Sequence, residues 1–262
     1  MHPRLSALAA LRLTDPDEKV AATRAISLSG ATDSIATDPI RTAGDDVGVP
    51  GRPERPLRVA ATAVQKRSPF TTEGRAALIH SICHIEFNAI NLALDAVWRF
   101  AGMPPQFYRD WTRVASEEAL HFTLLREHLL SLGHDYGDFD AHDGLWLMTQ
   151  RTAHDVVARM ALVPRTLEAR GLDATPPLQA KFAKAGDARA VEILAIILRD
   201  EVGHVAIGNH WYRWLCERDG HDPVAHYAEL TVRYEAPRLR PPFNTEARRA
   251  AGFTEAEIGL LS

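Results

Sequence analysis

Residues 199–211, RDEVGHVAIGNHW, place a carboxylate and an imidazole one helical turn apart in an otherwise apolar segment. Leu194 and Val205 are helical neighbours of Glu201, and His204 shares their face. An unpaired carboxylate costs several kcal/mol to bury, so it needs a partner such as a bound metal cation. The stretch therefore predicts a core helix that carries a polar centre.

A second helix repeats this pattern. Residues 113–122, RVASEEALHF, carry Glu118 and His121 with the same Glu-x-x-His spacing, again on an apolar face. A further helix carries a third such acid, Glu86, in the middle of an apolar stripe. One Glu-x-x-His is weak evidence, but two copies and a third central acid favour a metal site over a purely structural buried network.

The periodicity predicts an all-α protein, because apolar residues recur at helical spacing and no strand pattern occurs. The long helical segments are 72–102, 105–132, 144–171 and 187–219. Di-metal carboxylate bundles take one Glu from each of two helices and a Glu-x-x-His from each of the other two. Carboxylates with two imidazoles suit hard or borderline metals. We therefore expect two metal ions, with iron preferred and manganese as the alternative.

The sequence divides into three predicted parts. We expect short helices and an extended proline-rich arm in residues 1–71, and a bundle of the four long helices in 72–219. Residues 220–262 should form a helix and a tail that pack on the bundle. The arm, residues 51–70, should lie along the bundle with Leu57, Val59 and Val64 as anchors. The prolines in GLDATPP, residues 171–177, should end the third long helix.

Composition narrows the class of protein. The chain has 262 residues and a formal net charge of −4, which does not favour a nucleic-acid clamp. Two cysteines, Cys83 and Cys216, lie in predicted helices, which fits a reducing cytoplasm. No run of about 18 apolar residues occurs, so we expect no membrane span.

Several long strings resemble the ferritin-like superfamily and, more closely, the bacterial family called domain of unknown function 455. They include HIEFNAINLALDAVWRFAGMP at 84–104, ILRDEVGHVAIGNHWYRWLCE at 197–217 and RPPFNTEARRAAGF at 240–253. The resemblance implies a ferritin-like four-helix bundle with extended arms. LEARG, residues 167–171, is similar to a Glu-Ala-Arg string of tRNA-modifying di-iron hydroxylases, which implies Glu168 as the carboxylate of the third helix.

The third helix leaves an alternative open. Glu168 lies late in the segment 144–171, whereas the other expected ligands lie centrally, and an offset at about 1.5 Å per residue matters. His154 is the competitor, as an extra ligand or a supporting group. The expected ligand set is Glu86, Glu118, His121, Glu168, Glu201 and His204, converging on one point in the bundle core.

Other acids and histidines near the expected ligands could support the metal site or be ordinary surface and packing residues. Asp200 and Glu117 precede the two histidines by four residues, where a carboxylate can orient a metal-bound imidazole. The alternative for Glu117 is a solvated helix charge. His80 and His84 share no face with Glu86, so we expect packing or surface roles for them.

The leading function is activation of dioxygen by a di-iron centre for hydroxylation or oxidation of a small-molecule or modified-nucleoside substrate. Such an enzyme needs an external electron donor. The alternative is a metal-handling or peroxide-detoxifying protein without an organic substrate, and a metal-free scaffold is a third reading. A nucleic-acid partner is disfavoured by the net charge but stays open through the basic arms, and a homo-oligomer is compatible with the sequence.

Overall fold

A computed structural model describes residues 3–26, 47–65 and 67–261. In these residues the regular secondary structure is helical, beside an isolated β-bridge, which confirms the all-α prediction. Two compact units divide the chain, Met1–Asp143 and Gly144–Ser262. The helices are α1 (Pro3–Arg12), α2 (Pro16–Arg24), α3 (Thr72–Arg99), α4 (Pro105–Ser131), α5 (Gly144–Arg151), α6 (Val156–Leu162), α7 (Ala169–Lys184), α8 (Ala188–Asp219), α9 (Pro223–Arg233), α10 (Thr245–Ala250) and α11 (Glu255–Gly259).

The first unit is organised around the pairing of α3 with α4. Thr71 caps α3 by accepting a hydrogen bond from the Gly74 backbone N–H at 3.1 Å. A short connection then reverses the chain, with Gly102 at a φ of 74° and Pro105 as the first residue of α4. From Glu86 to Arg99 every residue of α3 is buried, as expected for a helix surrounded by protein.

By length and apolar composition alone, α3 meets the criteria for a membrane-spanning helix, whereas the sequence predicted no such span. However, 78% of its most apolar 18-residue window is buried inside the fold. Core helices of soluble proteins share this property, and α3 is consistent with one.

A buried lysine ties the N-terminal helices to the arm and to α3. The Lys19 ammonium donates hydrogen bonds to the carbonyls of Leu11 and Gly51 and to Asn91 Oδ1, at 2.9, 3.0 and 2.6 Å. The Gly51 N–H donates to the Leu11 carbonyl at 2.8 Å. A Cβ on residue 51 would lie 2.0 Å from the carbonyl oxygen of Arg12, so only glycine fits this approach.

The arm is held mainly through its backbone. The Val59 N–H donates to the Ala141 carbonyl at 2.8 Å, and the Ala141 N–H donates to the Leu57 carbonyl at 2.9 Å. Pro56 is buried beside this bridge, and Val59 and Val64 are half-buried. Leu57 is 50% exposed, so the prediction of this side chain as an anchor is wrong. It fails because the bridge fixes the backbone and leaves the side chain outside.

The third predicted long helix is interrupted in the structure. The predicted segment 144–171 becomes α5, a connection at 152–155, α6 and a π-helical segment, Val163–Glu168. Asp155 caps α6 through the Ala158 N–H at 2.9 Å. Pro164 lacks an N–H, and its ring would clash with the carbonyl one turn earlier in a regular helix. The wider π turn accommodates that proline.

The predicted end of the third helix at residue 171 is also wrong. Helix α7 continues to Lys184 through Pro176 and Pro177. Pro176 leaves the carbonyl of Leu172 without its usual helical donor. Asn244 Nδ2, from the C-terminal tail, donates to this carbonyl at 3.2 Å. A distant side chain therefore replaces the lost helical bond, and the helix survives.

Helix α8 returns antiparallel to α7 after the short connection 185–187 and is its main packing partner in the second unit. Asp187 caps its start, and Gly220, at a φ of 73°, ends it. Gly208 lets α8 approach the π segment closely. A Cβ on residue 208 would lie 2.6 Å from Pro164 Cβ.

We predict that Gly208→Ala destabilises the protein by about 1–3 kcal/mol, because the added methyl overpacks against the Pro164 ring. Gly203→Ala is the matched control on the same helix, since a Cβ there meets nothing within 4 Å. It should be neutral or stabilise by up to about 1 kcal/mol. Denaturant unfolding of both variants measures the difference, and equal stabilities would contradict the close packing.

Candidate metal centre

The first element of the candidate site is Glu86, in the middle of α3. Its residue is 4% exposed, and Cys83 and Ile90, one turn away on either side, are fully buried. The surrounding helix is apolar on most faces, so solvent cannot neutralise this carboxylate. Its partners must come from the protein or from a bound cation.

Helix α4 supplies these partners from one face. Glu118 and His121 are both fully buried. His121 Nδ1 lies 3.2 Å from Glu118 Oε2 and 3.4 Å from Glu86 Oε2. The three residues belong to a group whose ligand atoms all lie within 4.8 Å of one another, so this buried Glu/His group could hold a metal ion. The structure thus brings together half of the expected ligand set inside one unit.

Burial and close contact strongly shift the pKa values of His121 and Glu86 in this triad. Burial alone would lower the pKa of His121, but hydrogen bonds to Glu118 and Glu86 outweigh it and raise the pKa to about 11. Burial and the charge of Glu118 raise the pKa of Glu86 well above its ordinary value, although His121 opposes them. A protonated His121 therefore offsets the charge of the buried carboxylates, and the raised pKa of Glu86 acts in the same direction, because both groups retain protons where solvent is excluded.

An aromatic layer packs against the triad's helices on one side. The ring of Tyr136 lies 5.1 Å from that of Phe122 and 5.3 Å from that of Phe87, and its hydroxyl is 2.8 Å from His84 Nδ1. Burial lowers the pKa of His80 to about 4 and that of His84 to about 3. Both are thus neutral packing residues. Sequence reasoning missed Tyr136, because it lies in a loop without periodicity.

The second unit carries the other Glu-x-x-His. Glu201 and His204 are both buried on α8. His204 Nδ1 lies 3.6 Å from Glu201 Oε1, a spacing close to that of the Glu118–His121 pair. Within this unit the two side chains thus face one another as the sequence predicts.

Glu168 is the last residue of the π segment and is 9% exposed. Pro164, one turn earlier, lies against Gly208 of α8. Glu168 follows Pro164 by four residues and His204 precedes Gly208 by four, so antiparallel packing of the two elements would bring Glu168 and His204 to the same level. The offset noted in the sequence also disappears, since the continuous helical stretch spans 156–184 and Glu168 lies near its middle.

The remaining candidates have different surroundings. His154 is exposed in the connection before α6, with Nε2 3.3 Å from the Tyr234 hydroxyl. We therefore base the third-helix assignment on Glu168. Asp200 pairs with Arg199 at 2.8 Å, and its role in orienting His204 stays a prediction. Glu117 is half-buried, and its supporting role also stays a prediction.

Comparison with protein families gives a single clear result. The model of a family described as "Protein of unknown function (DUF455)" matches residues 12–259. This chain belongs to the DUF455 family. All six expected ligands lie inside the matched range. The candidate site is therefore part of the region that defines DUF455 membership.

A protein of Haemophilus influenzae, described as an uncharacterized protein, is 56% identical over 216 residues. The match covers 80% of this chain and 75% of that protein. No solved structure matches the chain. The function of this DUF455 protein must therefore be inferred from its own residues.

We predict that metal binding at pH 7 releases protons. With a pKa of about 11, His121 is protonated in the metal-free protein and must lose that proton to coordinate through Nδ1. Calorimetric titration with Mn²⁺ in buffers of different ionisation enthalpy should show release of about one proton or more. His121→Phe should reduce that release by about one proton. An enthalpy independent of the buffer would contradict the assignment.

Proposed function

We propose that this protein is a di-metal carboxylate protein in which two iron ions activate dioxygen for hydroxylation or oxidation of a substrate. The observation that carries the proposal is the buried triad of Glu86, Glu118 and His121. Manganese is the alternative metal. The residues that would hold the ions are Glu86, Glu118, His121, Glu168, Glu201 and His204.

Each compact unit supplies the same set of groups. In the first unit a single Glu precedes the Glu-x-x-His by 32 residues, from Glu86 to Glu118, and in the second by 33, from Glu168 to Glu201. Each set pairs a carboxylate from one helical element with a Glu-x-x-His from its partner. Such a repeated set is the composition of di-metal carboxylate bundles.

The donor set fits iron or manganese better than a thiolate-binding ion. The triad offers two carboxylates and one imidazole in a site closed to solvent. Cys83 is close enough to be influenced by the charge of Glu86, but burial and that charge raise the pKa of its thiol well above the ordinary value. A protonated thiol is a poor metal ligand, so we do not include it.

We also propose that the four helical elements that carry the ligands form a ferritin-like four-helix bundle. These elements are α3, α4, the stretch from α6 through the π segment to α7, and α8. The support is the pairing of α3 with α4 and of α7 with α8, together with the ligand pattern. The resemblance stated for the sequence points the same way.

In this proposal the chain's own residues bind the ions, exclude water and manage protons. His121 gives up its Nδ1 proton when a metal is bound, and the burial of all three triad residues keeps water away from them. When bound, two ferrous ions would supply the electrons with which dioxygen is activated. An external donor must then restore the ferrous state.

The cellular setting belongs to the same proposal. Cys83 and Cys216 are both buried free thiols, which supports a cytoplasmic location. A small molecule or modified nucleoside is the expected substrate.

The test is metal analysis of the protein purified in its native state, followed by dioxygen consumption by the ferrous form. We expect about two ions per chain. Glu118→Gln and Glu201→Gln should each remove at least one ion and abolish dioxygen uptake. Glu127→Gln on α4 and Glu192→Gln on α8 are matched controls, since both carboxylates are exposed and their loss should change neither readout.

Absence of bound iron and manganese, with no uptake of either by the purified protein, would refute the proposal. Full metal content in both ligand variants would refute the ligand set. The course of the reaction separates the oxygenase from its alternative. Uptake that stops at the bound ferrous ions and resumes with an electron donor supports oxidation of a substrate. Continued oxidation of added iron, or rapid peroxide decomposition, would place the protein in the metal-handling or peroxide-detoxifying class.

A further inference from the structure

The C-terminal tail reaches the π segment three residues before Glu168. The buried Arg165 guanidinium donates to Asn209 Oδ1 at 2.5 Å and to Glu257 Oε1 at 2.6 Å. Arg213 donates to the other oxygen, Glu257 Oε2, at 2.9 Å. The guanidinium of Arg165 also lies 4.8–5.1 Å from the ring centroids of Tyr212, Tyr227 and Phe253.

This contact is ionic and sealed from solvent. Burial opposes the charge of Glu257, but Arg165, the Thr254 backbone N–H and then Arg213 hold its pKa below the ordinary value, so the carboxylate is ionised at neutral pH. Glu257 also closes a capping box with Thr254, which fixes its position at the start of α11. A rigid carboxylate from the tail thus determines where Arg165 can lie.

The π conformation receives further support next to Glu168. The Thr166 hydroxyl donates to the Ala161 carbonyl, five residues earlier, at 2.7 Å, and lies 2.9 Å from the Tyr227 hydroxyl. Side chains of the π segment are therefore fixed by α9 as well as by the tail. A π turn contains more residues than an α turn, so a change to regular helix would rotate the residues that follow it.

The tail also binds the chain just after Glu168. Arg248 pairs with Asp173 and donates to the Ala169 carbonyl at 3.4 Å. Asn244 Nδ2 donates to the Leu172 carbonyl at 3.2 Å, the group that Pro176 leaves without a helical donor. The tail therefore contacts the chain on both sides of Glu168, through the Arg165 side chain before it and through residues 169–173 after it.

We propose that Glu257, Arg165 and Asn244 are positioning residues that aim Glu168 at the metal centre, so that the C-terminal tail is a working part of the site. The inference rests on the proposed function, because it takes Glu168 as a ligand. The tail touches no metal in this proposal. It acts by holding the π segment and the residues after it in the register that sets the orientation of Glu168.

The experiment titrates the metal-free full-length protein with Co²⁺, whose visible absorption reports the coordination geometry. Glu257→Gln should weaken Co²⁺ binding by about tenfold or more and alter the absorption bands. Glu255→Gln is the matched control in the same short helix, since Glu255 forms only an exposed ion pair with Arg249 in the described structure. It should leave the Co²⁺ affinity, the spectrum and the hydrogen exchange of residues 163–172 unchanged. Glu257→Gln, in contrast, should accelerate the hydrogen exchange of these residues.

A double-mutant cycle separates positioning from general loss of stability. If Glu257 acts through Glu168, the double variant Glu257→Gln/Glu168→Gln should bind Co²⁺ no more weakly than Glu168→Gln alone. Additive losses, or a Glu257→Gln variant with the affinity and spectrum of the unaltered protein, would overturn the inference. All titrations are made well below the unfolding temperature of each variant.

Asn244→Ser provides a second test if Glu257→Gln fails to fold. Serine keeps the acceptor that caps α10 but removes the amide donor to Leu172. We expect Co²⁺ binding to weaken in the same direction, again without further loss in Glu168→Gln, and an unchanged affinity would count against the inference. If Glu118→Gln abolishes Co²⁺ binding, the proposed metal site stands whatever the tail variants do. A protein that binds no Co²⁺ would overturn both.

Discussion

Carboxylates buried in an apolar interior have to be neutralised, and the rest of this structure is arranged around that requirement. Glu86 and Glu118 lie where solvent cannot reach them, and His121 stands between them with a pKa raised to about 11. The proton of the imidazolium takes the role that the proposal gives to a cation. Removing the proton without supplying a metal would leave two carboxylates together in a medium of low dielectric.

The same requirement explains why the surroundings are so closed. Helix α3 is buried on all sides from Glu86 onward, and the layer around Tyr136 covers one side of the triad's helices. A wet cavity would solvate the carboxylates and weaken their demand for a cation. The dry surroundings thus raise the affinity of the carboxylates for protons, and they would do the same for a metal cation held there. For the proposed function they would also suit chemistry that must avoid side reactions with water.

Irregular backbone in the second unit is stabilised by the tail. The prolines at 164, 176 and 177 remove hydrogen-bond donors from what is otherwise a continuous helical stretch. A π turn accommodates the first proline. The Leu172 carbonyl, which lacks its helical donor, instead accepts a hydrogen bond from Asn244, about 70 residues away. The family match, residues 12–259, includes both the prolines and the tail that supports them.

The sequence by itself determined the helical class, the bounds of α3, α4 and α8 within a few residues, and the shared face of each Glu-x-x-His pair. Those features follow from local geometry, because residues three or four apart on a helix lie together whatever surrounds them. Only the tertiary structure decided how His121 meets Glu86, which lies 35 residues earlier. It also decided that helix α7 survives its prolines and that Leu57 faces outward. Each of those outcomes depends on hydrogen bonds or charges contributed by distant segments, and local periodicity contains no information about such partners.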